Sequence, residues 1–153
     1  MWPSREESVP TKGKGHMANW LFKAEPEHYS FADLERDGET VWDGVANNQA
    51  LLHLRMVAKQ DLVFCYHTGD EKAVVGIMQV VRDPYPDPKE TDARLVVVDV
   101  QPVRRLARPV TLTEIKADPI FTKWDLVRNS RLSVMPVSPA QWKRVEQLSR
   151  KSP

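Results

Sequence analysis

Three apolar runs in the middle of the chain restrict its fold more than any other feature. They are Asp61 to Tyr66 (DLVFCY), Ala73 to Val81 (AVVGIMQVV) and Arg94 to Val100 (RLVVVDV). Each is short, and the β-branched and aromatic side chains between turn signals read as buried strands. His67-Thr68-Gly69-Asp70 supplies the turn after the first run. Gly76, inside the second, marks a bulge or a close backbone approach. Asp83 to Lys89 (DPYPDPK) is extended and stiffened by proline, so a central strand is not expected there. Asn19 to Lys23 reads as a first strand that stops at Glu25-Pro26, because a residue before proline avoids the helical region. Thr40 to Trp42 reads as a brief strand, Pro102 to Val110 as an edge or barrel-closing segment, and Leu132 to Val137 as the last strand.

Helices are short and occupy the connections. Ser30-Phe-Ala-Asp33 forms a capping-box start, with Gly38 as its stop. Asn47 or Asn48 caps a second helix carrying Leu51, Leu52, Leu54 and Met56. Thr111-Leu-Thr-Glu114 opens another that ends near Asp118-Pro119, and residues 120–128 read as helical with Trp124 and Leu126 as anchors. Ser138-Pro-Ala-Gln141 starts a terminal helix with Trp142, Val145 and Leu148 on one face. Strands and helices do not alternate regularly. That argues against a doubly wound parallel sheet and for an α+β fold, a small closed or half-closed mixed β-barrel with short peripheral helices. Residues 1–17, with Gly13-Lys14-Gly15 after Pro10, read as a loosely ordered tail, and residues 18–150 as one domain.

The chain of 153 residues suits a single domain. No stretch approaches the ~18 apolar residues of a membrane span. The first residues carry adjacent acids and no apolar run, so a secretory signal is not expected. The single cysteine, Cys65, builds neither a disulfide framework nor a Cys-rich zinc site, and a reducing, cytoplasmic setting is expected. The net charge of +1 hides a split. Residues 101–153 carry 11 Lys and Arg against 4 Asp and Glu, while residues 1–100 carry 11 against 17. A one-sided basic face is a footprint of nucleic-acid binding, although interdigitated halves would cancel the field.

The sequence lacks the Walker, dinucleotide and nucleophile-elbow motifs. The four histidines are scattered, and no metal set or cofactor is expected. Cys65 and His67 fall on the same face of a strand, but Cys65 in its apolar run reads as an inert core residue. Three loops share polar groups or aromatics on a stiff backbone: Lys23-Ala24-Glu25-Pro26, Trp42 to Asn48, and Asp83 to Pro88. Tyr66-His67 joins them at the end of its strand.

Trp20-Leu-Phe-Lys-Ala-Glu-Pro26, Trp42-Asp-Gly-Val45 with Asn48-Gln-Ala50, Tyr66-His67, Gly76-Ile-Met78, Tyr85-Pro-Asp87, Val98-Asp-Val100 and Arg131-Leu-Ser-Val134 occur in one order along the chain. In this the sequence resembles the EVE domain family from about Asn19 to Leu148. It departs at Ala24, where many members carry serine, and at Ala46-Asn47-Asn48, where an arginine and an aromatic are common. The resemblance implies a PUA-like fold and kinship with YTH domains, which hold a methylated base in an aromatic cage. By that likeness the domain is non-enzymatic, probes modified DNA or RNA as a monomer, and takes a flipped base, most often a modified cytosine in DNA. Trp42 would be one wall of the cage and Tyr85, or a neighbour in its segment, the opposing wall. The base-binding set implied is Lys23, Ala24, Glu25, Trp42, Asp43, Asn48, Tyr66, His67 and Tyr85, with Lys23, Arg128 and Arg131 on phosphates. The residues also admit plainer roles: Trp42 as core, Glu25 or Asp43 as a helix cap, Asn48 as a helix start, Arg131 in an ion pair. The alternative reading is an enzyme acting on a modified nucleoside or nucleotide.

Overall fold

Two long strands carry the architecture. In the computed structural model, which describes residues 18–151, the chain forms β1 (Asn19–Ala24), α1 (Phe31–Asp37), β2 (Thr40–Trp42), α2 (Asn48–Met56), β3 (Leu62–His67), β4 (Ala73–Pro86), β5 (Val96–Thr111), α3 (Leu112–Lys116), a 3-10 turn at Pro119–Phe121, α4 (Asp125–Arg128), β6 (Val134–Val137) and α5 (Pro139–Ser149). The tail read from residues 1–17 lies outside the described residues. One six-stranded sheet runs β2-β5-β4-β3-β1-β6. β1 and β3 are parallel, and the other neighbours are antiparallel. Register shifts interrupt the β4–β5 ladder at four places, and each such bulge bends and twists the pair. No ladder joins β2 to β6 among the described residues, so the bent sheet is the half-closed form of the expected mixed barrel.

Two strand expectations are corrected. The proline-stiffened segment does not stand apart: Asp83 to Pro86 complete β4, with Tyr85 opposite Val97 and Pro86 opposite Val96. Its prolines are tolerated because β3 pairs only as far as Gln79, which leaves that half of β4 with a single neighbour. Pro102 to Val110 likewise continues β5, and Pro102 lies beyond the Val98–Val100 stretch that β2 pairs.

Local chemistry fixes the helix ends. Capping boxes start α1 (Ser30 with Asp33), α3 (Thr111 with Glu114) and α5 (Ser138 with Gln141). Gly38 closes α1 at φ 81°, a left-handed conformation that glycine adopts without a Cβ penalty. The core is continuous across both faces of the sheet. On one face Phe64 stacks on Trp142 of α5, with ring centroids 3.7 Å apart and planes 8° apart. On the other, Phe31 of α1 lies directly over Gly76. Asp61, 1% exposed, accepts from the Trp20 indole at 2.9 Å, from Ala58 N at 2.9 Å and from Ala18 N at 3.3 Å. It ties the start of β1 to the turn before β3.

Glu114 does more than cap α3. Arg108 donates to its two oxygens at 2.9 and 2.7 Å, and Thr111 N donates at 2.9 Å. The Arg108 guanidinium, more than the cap, holds the Glu114 carboxyl at about 2, below the 4.5 of a free glutamate. A carboxyl depressed in the folded state stabilises the fold above the unfolded value, and that contribution is lost as pH falls from 4.5 through about 2. Thermal melts of wild type and Glu114→Gln are therefore expected to differ at neutral pH and to converge between those limits. A gap that persists unchanged to pH 2 would refute the assignment.

Candidate nucleic-acid interface

β1 and β3 run parallel and end together, so Ala24 lies opposite His67 and Lys23 opposite Tyr66. Paired residues share a face and successive ones alternate. Lys23 and Tyr66 thus stand on one face, with the ammonium 5.8 Å from the ring centroid. Phe22, Ala24 and His67 occupy the other, and Trp42 joins that face by packing on Phe22 at 5.6 Å. The expected base-binding residues therefore divide between two sides of the sheet's rim.

Trp42 ends β2 opposite Val98 and is 9% exposed. Trp42 is largely core, the plainer of its two readings, and only a small part of the residue reaches the surface. Gly44, at φ 80°, turns the chain away. Val45 is buried beneath the loop, while Asp43, Ala46, Asn47 and Asn48 are exposed. Asn47 caps α2 by accepting from Ala50 N at 3.0 Å, so Asp43 is not the cap and Asn48 is the first helical residue. Tyr85 corrects the expected cage. It pairs with Val97, and its hydroxyl donates to Asp99 at 2.5 Å, with the Arg82 guanidinium 3.7 Å above the ring. Val97 and Asp99 lie on the face of β5 opposite to Val98, so Tyr85 and Trp42 cannot confront one another across a base.

His67 is also engaged. Its Nε2 accepts from Phe31 N at 3.0 Å, so the proton resides on Nδ1, which donates to Glu71 at 2.8 Å. The imidazole supplies a partner for a backbone N–H of the first turn of α1, which otherwise lacks one. Reading a base would break one of these bonds. Cys65 is fully buried, and burial pushes its thiol up to about 12, so no thiolate is available at neutral pH. Glu25 is exposed and pairs with His28 at 2.8 Å; Ser30, not Glu25, caps α1. No group of three or more His, Cys, Asp or Glu suited to a metal ion occurs among the described residues.

The basic residues sort into two kinds. Arg104, Arg105, Arg108, Arg144 and Arg150 each meet a carboxylate. Lys123, Arg128 and Arg131 are exposed and have no carboxylate partner among the described residues. They lie on the 119–131 segment, where Asp125 is the one acid. That segment is anchored by the Trp124 indole, which donates to Pro136 O at 3.1 Å. Lys23 reaches it: Nζ donates to Ser130 O at 2.9 Å, and Lys23 N donates to Ser133 O at 3.0 Å. Desolvation lowers the Lys23 pKa, and no carboxylate offsets it. Two contributors escape sequence reading. Lys123 is hidden beside a tryptophan that reads as core. Arg94 reads as the start of the third strand, but β5 begins only at Val96, and from the connection before it the Arg94 Nη1 donates to Asn48 Oδ1 at 2.7 Å.

Comparison with known proteins bears on this geometry. Thymocyte nuclear protein 1 of Rattus norvegicus is 34% identical over 69% of this chain, and the match spans 58% of that protein's length. A crystal structure of a protein from Agrobacterium tumefaciens superimposes with a TM-score of 0.84 at 34% identity, covering 89% of this chain and 99% of that one. The human THYN1 protein, crystallised in complex with 5-methylcytosine-containing DNA, superimposes with a TM-score of 0.82 at 30% identity, covering 89% of this chain and 99% of that one. The architecture is accordingly the PUA-like α+β fold of these neighbours. The sequence profile of the EVE domain matches residues 18–148, and the chain belongs to the EVE domain family.

Proposed function

We propose that this chain is a non-enzymatic reader of modified cytosine in DNA, taking the base flipped out of its strand. The observation that carries the reading is the likeness, over 89% of this chain, to the human THYN1 chain crystallised with 5-methylcytosine-containing DNA. The base seats at the rim formed by Ala24, Glu25, the exposed part of Trp42 and the Asp43–Asn48 loop. Extruding a base costs ~a few kcal/mol, and stacking on one aromatic returns ~1–3 kcal/mol. With Tyr85 on the far face, Trp42 offsets only part of that cost, so polar contacts to the base edge and phosphate contacts supply the remainder. Glu25 and Asp43 accept from the exocyclic amine of cytosine. A 5-methyl group adds ~0.8 kcal/mol when buried. Lys23, Arg128 and Arg131, with Lys123 beside them, meet phosphates, which position the strand without reading sequence. The buried, protonated Cys65 thiol and the doubly bonded His67 support binding over catalysis.

Anisotropy titrations with oligonucleotides carrying one 5-methylcytosine or one cytosine test the reading. The methylated strand is expected to bind more tightly, with affinity falling as salt rises. Arg128→Ala with Arg131→Ala is expected to reduce the slope of log K against log salt by about two and to weaken both oligonucleotides alike. Equal affinity for modified and unmodified strands at every salt concentration would remove the proposal.

A further inference from the structure

Asn48 and Arg94 come from different elements and form one polar unit. Asn48 opens α2, directly after the loop that leaves Trp42. Arg94 lies in the connection between β4 and β5. Arg94 Nη1 donates to Asn48 Oδ1 at 2.7 Å, while its Nε and Nη2 hold Asp92 at 3.2 and 2.8 Å. Arg55 Nη2 donates to the carbonyl of Arg94 at 2.6 Å, which ties the connection back to α2. The guanidinium is thus held between Asp92 and Asn48, and its backbone is tied to Arg55, although the side chain is 54% exposed.

This fixing has a chemical result. A carboxamide carries an acceptor oxygen and a donor nitrogen, and only its partners decide which points where. Arg94 has no acceptor, so it captures the oxygen of Asn48. The Nδ2 group of Asn48, an exposed residue, is left with no hydrogen-bond partner among the described residues. The loop beside Trp42 therefore presents two N–H donors in a set orientation. Cytosine offers acceptors at N3 and O2, whereas thymine carries a hydrogen at N3. A donor aimed at N3 welcomes the first and opposes the second.

We propose that Arg94 is a specificity-setting positioning residue: by holding the Asn48 amide by its oxygen, it makes this site accept 5-methylcytosine and reject thymine, which differs from it only along the pairing edge. The inference rests on the reading of the chain as a modified-cytosine binder and assigns that site its pyrimidine selectivity. Arg94 itself need not touch the base.

The test compares binding of two oligonucleotides, identical except for 5-methylcytosine or thymine at one position. Wild type is expected to prefer 5-methylcytosine. Arg94→Ala frees the amide to rotate, and the preference is expected to shrink by roughly tenfold, the scale of one good base-edge contact, chiefly through a gain in thymine binding. Arg94→Lys keeps a donor on Asn48 Oδ1 and is expected to retain most of the preference, which a purely structural role for the arginine plane would not predict. Asn48→Asp replaces the amide donors by an acceptor while suiting a helix N-terminus, and it is expected to invert the preference toward thymine. If Arg94→Ala and Asn48→Asp both discriminate as wild type does, the inference falls while the reader function stands. If wild type binds neither oligonucleotide, the reader function falls and takes this inference with it.

Discussion

Replacing Asp61 by alanine is expected to cost the fold about 3–5 kcal/mol, the scale of losing two or three hydrogen bonds to a buried carboxylate. The carboxylate accepts from the Trp20 indole, Ala58 N and Ala18 N. Each hydrogen bond to a charged acceptor contributes about 1.5–3 kcal/mol, and the donors left behind in a dry site bear their own desolvation penalty. The melting temperature should fall by roughly 10–15 °C for a chain of this size. Asp61→Asn separates shape from charge. It keeps one acceptor but turns an amide NH2 toward donors, and it should lie between wild type and alanine. A loss below 1 kcal/mol for Asp61→Ala in chemical denaturation would show that the residue is not the tie described.

The second large effect is expected at Gly76. A Cβ built there would lie 2.6, 2.7 and 2.8 Å from three carbons of the Phe31 ring. Those contacts are far inside van der Waals range, so something must move. The ring has little room: Phe31 is 1% exposed, and its backbone nitrogen is bound to His67. Overpacking a core of this kind costs about 1–3 kcal/mol, and Gly76→Ala should fall at the upper end. Shrinking the ring relieves the clash, so Gly76→Ala combined with Phe31→Leu should be more stable than the sum of the single changes implies, by about 1 kcal/mol or more. Strict additivity in urea melts would mean that α1 slides freely over the sheet and would refute this account of the glycine.

The same residues indicate how far the sequence could be read. The helix starts at Ser30, Thr111 and Ser138 were legible because a capping box is a contact between residues three apart. Gly76 was legible as an anomaly within an apolar run, and the fold realises both alternatives: the β4–β5 register shifts beside it, and Phe31 approaches it. The family was legible from motifs along the whole domain. The aromatic cage was not. Which face of the sheet receives Tyr85 depends on its pairing with Val97 rather than Val98, and that pairing is set by bulges within a long ladder. Asp61 looked like the polar start of a strand because two of its donors, Ala18 N and the Trp20 indole, lie 43 and 41 residues upstream. His67 looked available for a ligand, and its engagement appears only once α1 docks. In each case the missing information was a long-range register or docking contact, which no local pattern encodes.

β1 lies between β3 and β6, so the first strand of the domain has its second neighbour at Val134 to Val137. On the ribosome, a growing chain that has not yet emitted those residues exposes the backbone of β1 along one side, beside an apolar run, WLF, that has nowhere else to go. Closure of the sheet must therefore follow synthesis of almost the whole domain. A stop codon shortly before residue 134 is expected to yield an aggregation-prone fragment, not a smaller folded domain.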